Sequence, residues 1–181
     1  MYCHRAVFFY GAFDIFSVNV ISGGDPLEIY TDREGEVIFK KYSPIGELAA
    51  FAGQYAETLH KTCGLAVAIC DRDAVIACAG IPKKECHDKP LSPELESIIE
   101  SRGLYTHTEG SDVLPLIRDA RTHAIGCAMP ILSEGDIVGC VVSVRGEHGE
   151  KLGSAAQSIG EDVESKLIQT AAGFLGRQLE S

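Results

Sequence analysis

Cysteine and histidine are the residues of this chain with the most distinctive chemistry. The 181 residues include seven cysteines and six histidines, but no C-x-x-C or H-E-x-x-H spacing occurs. Cys86, His87 and Asp88 are consecutive, and adjacent side chains rarely close on one metal ion. The sequence therefore predicts no metal site and no cofactor. It predicts an ordinary thiol in an exposed loop at Cys86.

Four further cysteines lie in apolar stretches that are typical of β-strands, namely Cys70, Cys78, Cys127 and Cys140. Free cysteine is among the most buried residue types, so we expect these thiols to pack in the core. Redox or ligand roles for them stay open as the alternative. An odd number of cysteines without a regular framework also indicates reduced thiols in a cytoplasmic protein.

Arg118, Asp119, Arg121 and His123 form a polar cluster that leads into a predicted strand. Such a cluster is typical either of a solvated loop face or of a site for an anionic ligand. No G-x-x-x-x-G-K-[ST] loop, no G-x-G-x-x-G after a strand and no G-x-S-x-G elbow is present. The motifs therefore do not indicate an enzyme.

The chain is acidic, with 26 Asp and Glu against 16 Lys and Arg, a net charge of −10. Its longest basic runs are Lys40-Lys41 and Lys83-Lys84. An acidic chain meets the phosphates of nucleic acid unfavourably unless a local basic patch overrides the repulsion. No apolar stretch reaches the length of a membrane span, and we expect a cytoplasmic protein without membrane contact.

The N-terminal part is predicted to be β-structure. Residues 13–21 read as one strand, and residues 27–31 and 36–41 alternate as the two strands of a hairpin around a turn at 32–35. Two strands alone are marginal in water, and unpaired strand edges attract partners. We therefore expect self-association through residues 13–41.

The remainder alternates between helices and hairpins. Ser43-Pro44 begins a helix that Gly64 ends, and Ser158-Ile159-Gly160-Glu161 reads as a capping box that opens the last helix. Between these helices we predict strands at 65–70, 74–79, 123–132 and 137–144, a helix at 92–102 and an irregular segment at 104–121. This order predicts an α+β fold with helices packed on one face of an antiparallel sheet. A ligand pocket is expected between that sheet and residues 104–121.

Two groups of residues carry a resemblance to a known family. The N-terminal group is Gly24-Asp25-Pro26-Leu27-Glu28-Ile29, Gly35-Glu36-Val37-Ile38 and Lys40-Lys41-Tyr42-Ser43-Pro44. The second group is Ile69-Cys70-Asp71-Arg72-Asp73 with Ala77 and Gly80, and Thr170-Ala171-Ala172-Gly173-Phe174-Leu175 with Arg177-Gln178. On these residues, from Gly24 to Ser181, the chain resembles the stage V sporulation protein T family, AbrB-type swapped-hairpin regulators with a C-terminal GAF sensor domain.

The resemblance implies an AbrB-like β module at 1–43, of which 1–23 is atypical, a linking helix at 44–64 and a GAF-like sensor domain at 65–181. It implies a transcriptional regulator that activates or represses sporulation genes. Its expected partners are DNA, other copies of itself in a dimer or tetramer, and an unknown small-molecule effector.

Residues 1–23 depart from the family, whose members open with a basic strand, a Gly-Arg-Val-Val-Ile-Pro run and an Arg- and Lys-rich helix. Here Arg5 is the one Lys or Arg. The residues that would neutralise phosphates are therefore missing, and we assign no DNA-contacting residue. Either a shifted reading frame precedes Gly24 or the lineage replaced this segment.

Two alternatives to a DNA-binding regulator follow. One is a GAF ligand-binding or dimerisation module without DNA binding, which pairs with intact relatives. The other is an enzyme, because some GAF-like domains reduce methionine sulfoxide through paired cysteines.

Overall fold

The structure is a computed structural model and describes residues 7–8, 26–31, 37–153 and 159–180. The chain divides into two compact units, Met1–Ser43 and Pro44–Ser181. The division into a β module, a linking helix and a sensor domain stays a prediction.

The described part of the first unit is a small antiparallel sheet. It consists of β1 (Val7–Phe8), β2 (Pro26–Thr31) and β3 (Val37–Lys41), in the order β1-β2-β3. Strands β2 and β3 pair from Leu27 with Lys41 to Thr31 with Val37. Leu27 is buried, whereas Ile29 and Val37 are exposed. The strand predicted at 13–21 and the turn at 32–35 lie outside the described residues, and the swapped-hairpin assignment stays a prediction.

The second unit begins with two helices where we predicted one. Helix α1 (Pro44–Glu47) and helix α2 (Ala49–Cys63) are separated at Leu48. The break follows from a tight turn, because the Leu48 amide donates to the Ile45 carbonyl three residues earlier. The predicted end is confirmed: Gly64 has a φ of 70°, and its amide donates to the His60 carbonyl.

The sheet of the second unit has six strands. They are β4 (Val67–Cys70), β5 (Val75–Ala79), β6 (Tyr105–Thr106), β7 (Pro115–Ile117), β8 (Ala120–Ser133) and β9 (Asp136–Gly146). The order is β5-β4-β9-β8-β6, all neighbours are antiparallel, and β7 also pairs with β8. The four strands predicted here are confirmed. The segment predicted as irregular contains β6 and β7.

Helices cover both faces of this sheet. Helix α3 (Lys83–Cys86) and helix α4 (Pro93–Glu100) contribute to one core with Ala66, Ala68 and Cys70. Helix α2 and helix α5 (Glu161–Leu179) contribute to the other core with Val67 and Ile69. Since successive strand residues point to opposite faces, the α+β class is confirmed, but the expectation of helices on one face is wrong.

The helix starts were predicted with mixed success. At α4 the Ser92 hydroxyl accepts from the Leu95 amide at 3.1 Å, as expected of an N-cap residue followed by proline. At α5 the predicted capping box is wrong, because Gly160 holds the N-cap position and the helix begins at Glu161. The Lys151 ammonium donates to the Ile159 carbonyl at 2.6 Å, so a tertiary contact holds the approach to this helix.

Among the described residues, no helix is long and apolar enough to cross a membrane.

The contact between α5 and β8 at Gly176 leaves no room for a side chain, because a Cβ there would overlap the Leu132 carbonyl oxygen. We expect Gly176→Ala to lower the free energy of unfolding by about 1–3 kcal/mol, the usual cost of overpacking. Urea denaturation followed by circular dichroism measures it.

Gly53→Ala in α2 is the matched control, since a Cβ there meets nothing within 4 Å. It should be neutral or stabilising by up to about 1 kcal/mol, because alanine favours helix more than glycine does. Equal losses for both variants would contradict the close approach of α5.

Candidate functional site

The predicted charged cluster is only partly assembled. Arg118, Asp119 and Arg121 line a surface cavity of about 790 Å³. The other lining residues are Ser92, Pro93, Glu94, Pro115, Ile117 and Ala120. His123 is absent from this lining. Its ring is buried, and its Nε2 lies 2.8 Å from Glu85 Oε2.

The start of α4 and the turn between β7 and β8 build this cavity. The Ser92 hydroxyl donates to the Pro115 carbonyl at 2.6 Å and so joins the start of α4 to β7. Asp119 stands in the turn with a φ of 61°. Arg118 is held by Glu96, with Nη2 2.8 Å from Oε1. The cavity thus combines guanidinium donors with carboxylate acceptors, a lining that suits a small polar molecule.

Residues 104–121, beside which we predicted a ligand pocket, are partly packed into the core. Leu116 and Ile117 from that segment are buried in the core that α4 and the sheet share. The 790 Å³ cavity lies at the C-terminal end of the segment, beside the start of α4. Apolar residues at 114–117 were the signal that this part of the segment belongs to the core.

Core packing of the strand cysteines is confirmed, since Cys70, Cys78, Cys127 and Cys140 are all buried. Burial raises the pKa of the Cys127 thiol to about 11, although a hydrogen bond from Thr106 acts in the opposite direction. Burial also raises the pKa of Cys70 and Cys140. Because the thiolate is the nucleophile, these three thiols are poorly suited to redox catalysis at neutral pH.

The expectation for Cys86 is wrong. It lies in α3 with its side chain buried, and its sulfur pairs with that of Cys78 on β5 as a disulfide. The single turn of α3 brings a residue eight positions along the chain back onto the strand. The prediction of reduced thiols therefore fails for this pair. His87 and Asp88 are exposed, and the described residues contain no cluster suited to a metal ion.

A buried ionic cluster was missed by the sequence reasoning. Arg145 Nη2 and Lys151 Nζ lie 3.5 Å and 3.4 Å from Glu164 Oε2. The Arg145 and Glu164 side chains are 6% and 4% exposed. The Ser143 hydroxyl donates to Glu164 and accepts from the Cys127 amide. These contacts tie the start of α5 to β8 and β9.

Gly126 makes room for this cluster at a bulge in β8. A Cβ at Gly126 would lie 2.6 Å from Arg145 Nε and 2.8 Å from Ser143 Oγ. The cluster is tightly packed, but its hydrogen bonding is incomplete, because Arg145 Nε has no hydrogen-bond partner among the described residues.

Apolar residues at helical spacing in the last helix predict a buried stripe of Ile159, Val163, Leu167, Ala171, Phe174 and Leu175. The structure shifts this stripe, because Val163 and Phe174 are 52% and 40% exposed. The buried face consists of Glu164, Ile168, Ala171, Ala172, Leu175 and Gly176. The reason is that Glu164 turns inward to meet Arg145, which rotates Val163 and Phe174 outward.

Phe51, Tyr55 and Phe174 form a partly exposed aromatic patch on α2 and α5. Tyr55 and Phe174 stack with ring centroids 5.4 Å apart, and Phe51 lies 6.0 Å from Phe174. Burial raises the pKa of the Tyr55 hydroxyl. This aromatic patch is the second candidate surface of the second unit.

Comparisons with known proteins agree on one family. A family model described as the C-terminal part of stage V sporulation protein T, a transcription factor, matches residues 47–180. Stage V sporulation protein T of Bacillus subtilis (strain 168) is 42% identical over 163 residues, which cover 88% of this chain and 84% of that protein.

Solved structures that match part of the chain include a GAF domain/HD domain protein from Geobacter sulfurreducens. It has a TM-score of 0.43 and 19% identity over 75% of this chain and 94% of that chain. The cofactor-binding GAF domain of the nutrient sensor CodY from Clostridium difficile has a TM-score of 0.45 and 14% identity, over 70% and 83% of the two chains.

The ionic cluster predicts a large effect of one neutral substitution. Glu164→Gln keeps the shape of the side chain but leaves the buried Arg145 charge with only the longer, 3.9 Å contact to the half-exposed carboxylate of Glu161. We expect a loss of about 3 kcal/mol in unfolding free energy, as for other broken buried pairs, measured by urea denaturation.

Glu57→Gln is the control, because Glu57 and Lys61 form an exposed pair with side chains 50% and 74% accessible. It should change stability by less than about 0.5 kcal/mol. Similar effects of the two substitutions would show that the cluster does not hold α5 to the sheet.

Proposed function

The chain belongs to the stage V sporulation protein T family, and from this premise we propose that it regulates the transcription of sporulation genes, with a second unit that senses a small effector and self-associates. The observation that carries the proposal is the family match, which spans most of that unit. The matched model describes a transcription factor.

The cavity beside the start of α4 supports the effector role. Its lining comes from two separate parts of the chain, residues 92–94 and 115–121. The Ser92 hydroxyl fixes one part to the other. A ligand bound there would touch both α4 and the turn before β8, the longest strand of the sheet. Such a site can convert binding into a change at the sheet.

The aromatic patch supports self-association. Apolar surface on two adjacent helices is typical of protein interfaces, where aromatic residues are enriched. Val163, on the same helix as Phe174, adds further exposed apolar surface. The occupant we propose is a second copy of this chain, since a two-fold arrangement lets the same patch serve both partners.

The first unit gives less support to DNA binding by this chain itself. Residues 1–23 hold one arginine, Arg5, and no lysine, and affinity for DNA depends on the number of phosphates that basic side chains neutralise. This observation favours a second candidate function. In it the chain lacks its own DNA reader and acts by joining intact relatives in mixed oligomers.

The regulatory role predicts a change in transcription. Deletion of the gene in the organism that carries it should alter transcripts of sporulation genes, measured by RNA sequencing through spore formation. Re-expression of the full chain should restore them. An unaltered transcript profile would refute the proposal.

Gel-shift titration of the purified full chain with fragmented genomic DNA separates the two functions. At 50 mM and 200 mM salt we expect no sequence-specific complex, because the basic contacts are few. A specific complex that weakens strongly with salt would refute the second function. It would mean that the chain reads DNA directly.

Self-association predicts an effect of Phe174→Ala. Loss of an aromatic anchor should raise the dissociation constant of the oligomer at least about tenfold, measured by analytical ultracentrifugation. Leu104→Ala is the matched control, because Leu104 and Phe174 are both 40% exposed and Leu104 lies outside the patch. A wild-type chain that is monomeric at micromolar concentration would contradict the proposal.

A further inference from the structure

The segment 82–90, which contains α3 and is called the α3 segment below, is attached to the second unit by a single buried side chain. Eight of its nine residues are exposed, and Cys86 is completely buried. Its sulfur meets that of Cys78, which is 3% exposed on β5. Cys86 is therefore the one side chain that anchors this segment in the core. How firmly it does so depends on whether its sulfur is bonded to that of Cys78.

The other contacts of the α3 segment lie mainly at its C-terminal end. The Asp88 amide donates to the Val75 carbonyl at 2.9 Å, the Val75 amide donates to the Lys89 carbonyl at 3.0 Å, and the Arg118 amide donates to the Pro90 carbonyl at 3.0 Å. Among the described residues, the part that contains α3 has one tertiary contact besides Cys86, the 2.8 Å contact between the half-exposed Glu85 and the His123 ring. A segment with one buried side chain and few hydrogen bonds opens locally more readily than a strand of the sheet does.

Two other buried thiols lie on strands of the sheet and not in a loosely held segment. Cys70 and Cys140 are partners across the β4–β9 ladder, yet both are free. Each stands on a strand whose side chains are buried, so neither can leave the core without opening the sheet. Cys86 alone among the buried cysteines of the described residues lies in a segment that can turn outward by itself.

We propose that Cys78 and Cys86 are a reversible modification site, oxidised and reduced by exchange with anionic low-molecular-weight disulfides and thiols of the glutathione class. The α3 segment suits such a reagent, because three lysines and two acidic residues give it positive charge in a chain of net charge −10. Oxidation fastens the segment to β5, and reduction releases it.

In this thiol–disulfide exchange the small disulfide is the oxidant. When the segment opens, the Cys86 thiolate attacks one sulfur of the small disulfide, whose S–S bond breaks and releases one small thiolate. The Cys78 thiolate then attacks the Cys86 sulfur of the mixed disulfide and releases the second. Two protein thiols are oxidised, one small disulfide is reduced to two thiols, and the two protons pass from the protein to the released thiolates.

The reduced Cys86 thiol also has a hydrogen-bond acceptor nearby. Cys86 Sγ lies 3.6 Å from the Pro82 carbonyl oxygen, within reach of a weak hydrogen bond from a thiol. The segment therefore has a resting position in both states and differs in how tightly it is held. Oxidation and reduction of Cys78 and Cys86 are independent of effector binding, and this inference does not rest on the proposed function.

The first test maps the bond in the full chain. Purified protein is equilibrated at a series of ratios of reduced to oxidised glutathione, quenched with acid, alkylated and digested, and the linked peptide is quantified by mass spectrometry. We expect the Cys78–Cys86 peptide to rise and fall reversibly with the ratio. Thiols that stay unlinked at every ratio, or that carry only bound glutathione, would overturn the proposal.

The second test measures the segment itself. Trypsin cleaves after exposed Lys83 and Lys84 only when the segment opens, so cleavage of the oxidised protein should be slower than that of the reduced protein, on the order of tenfold. Cys86→Ser should remove the dependence on the glutathione ratio. Cys63→Ser, a half-buried cysteine in α2, should keep it. Equal cleavage of oxidised and reduced wild-type protein would overturn the proposal without any variant.

Discussion

The central constraint on this protein is that the sheet of its second unit is apolar on both faces and must be covered on both. All four residues of β4 are buried, and in β9 every residue from Val138 to Gly146 is buried. A sheet of this kind cannot face water on either side. The helices α2 and α5 on one side, and α3 and α4 on the other, are the consequence.

The candidate functional features lie where this cover meets the solvent. The 790 Å³ cavity lies at the start of α4, the aromatic patch is on the outer side of α2 and α5, and the α3 segment lies over β5. The cavity and the aromatic patch are at the surface, and Cys86 is the one side chain of the α3 segment that enters the apolar core, whose packing leaves side chains in fixed places. The core therefore acts as the scaffold, and the covering elements carry the surfaces that ligands, partners and small thiols can reach.

The buried ionic cluster has a different role. Removal of charge from water is costly, and the attraction between Arg145 and Glu164 recovers that cost only when the geometry is good. Its contribution to the fold is to fix the orientation of α5. Since Glu164 must face Arg145, the helix α5 has one rotational setting, and that setting turns Phe174 outward into the aromatic patch. The candidate interface thus depends on a contact on the other side of the same helix.

Much of the fold followed from local patterns. The hairpins of the second unit, the Ser92 N-cap and the αL end at Gly64 were all readable, because each depends on neighbouring residues. The N-cap at Gly160 and the rotation of α5 were not, because each is decided by contacts with other elements. The break at Leu48 was also missed, although it involves a local hydrogen bond to Ile45. The candidate site was readable only in part, since Arg118, Asp119 and Arg121 share the cavity but His123 turns to Glu85.

The sequence by itself determined the class of fold, the family and the presence of a single Lys or Arg, Arg5, before Gly24. These properties follow from periodicity, motifs and composition, which can be read without knowing the tertiary contacts between residues. Only the tertiary structure decided that Cys86 meets Cys78, that Arg145 meets Glu164 and that the cavity opens beside α4. Those outcomes depend on which residues of different elements the fold brings together, and side-chain spacing along a single element carries no information about them.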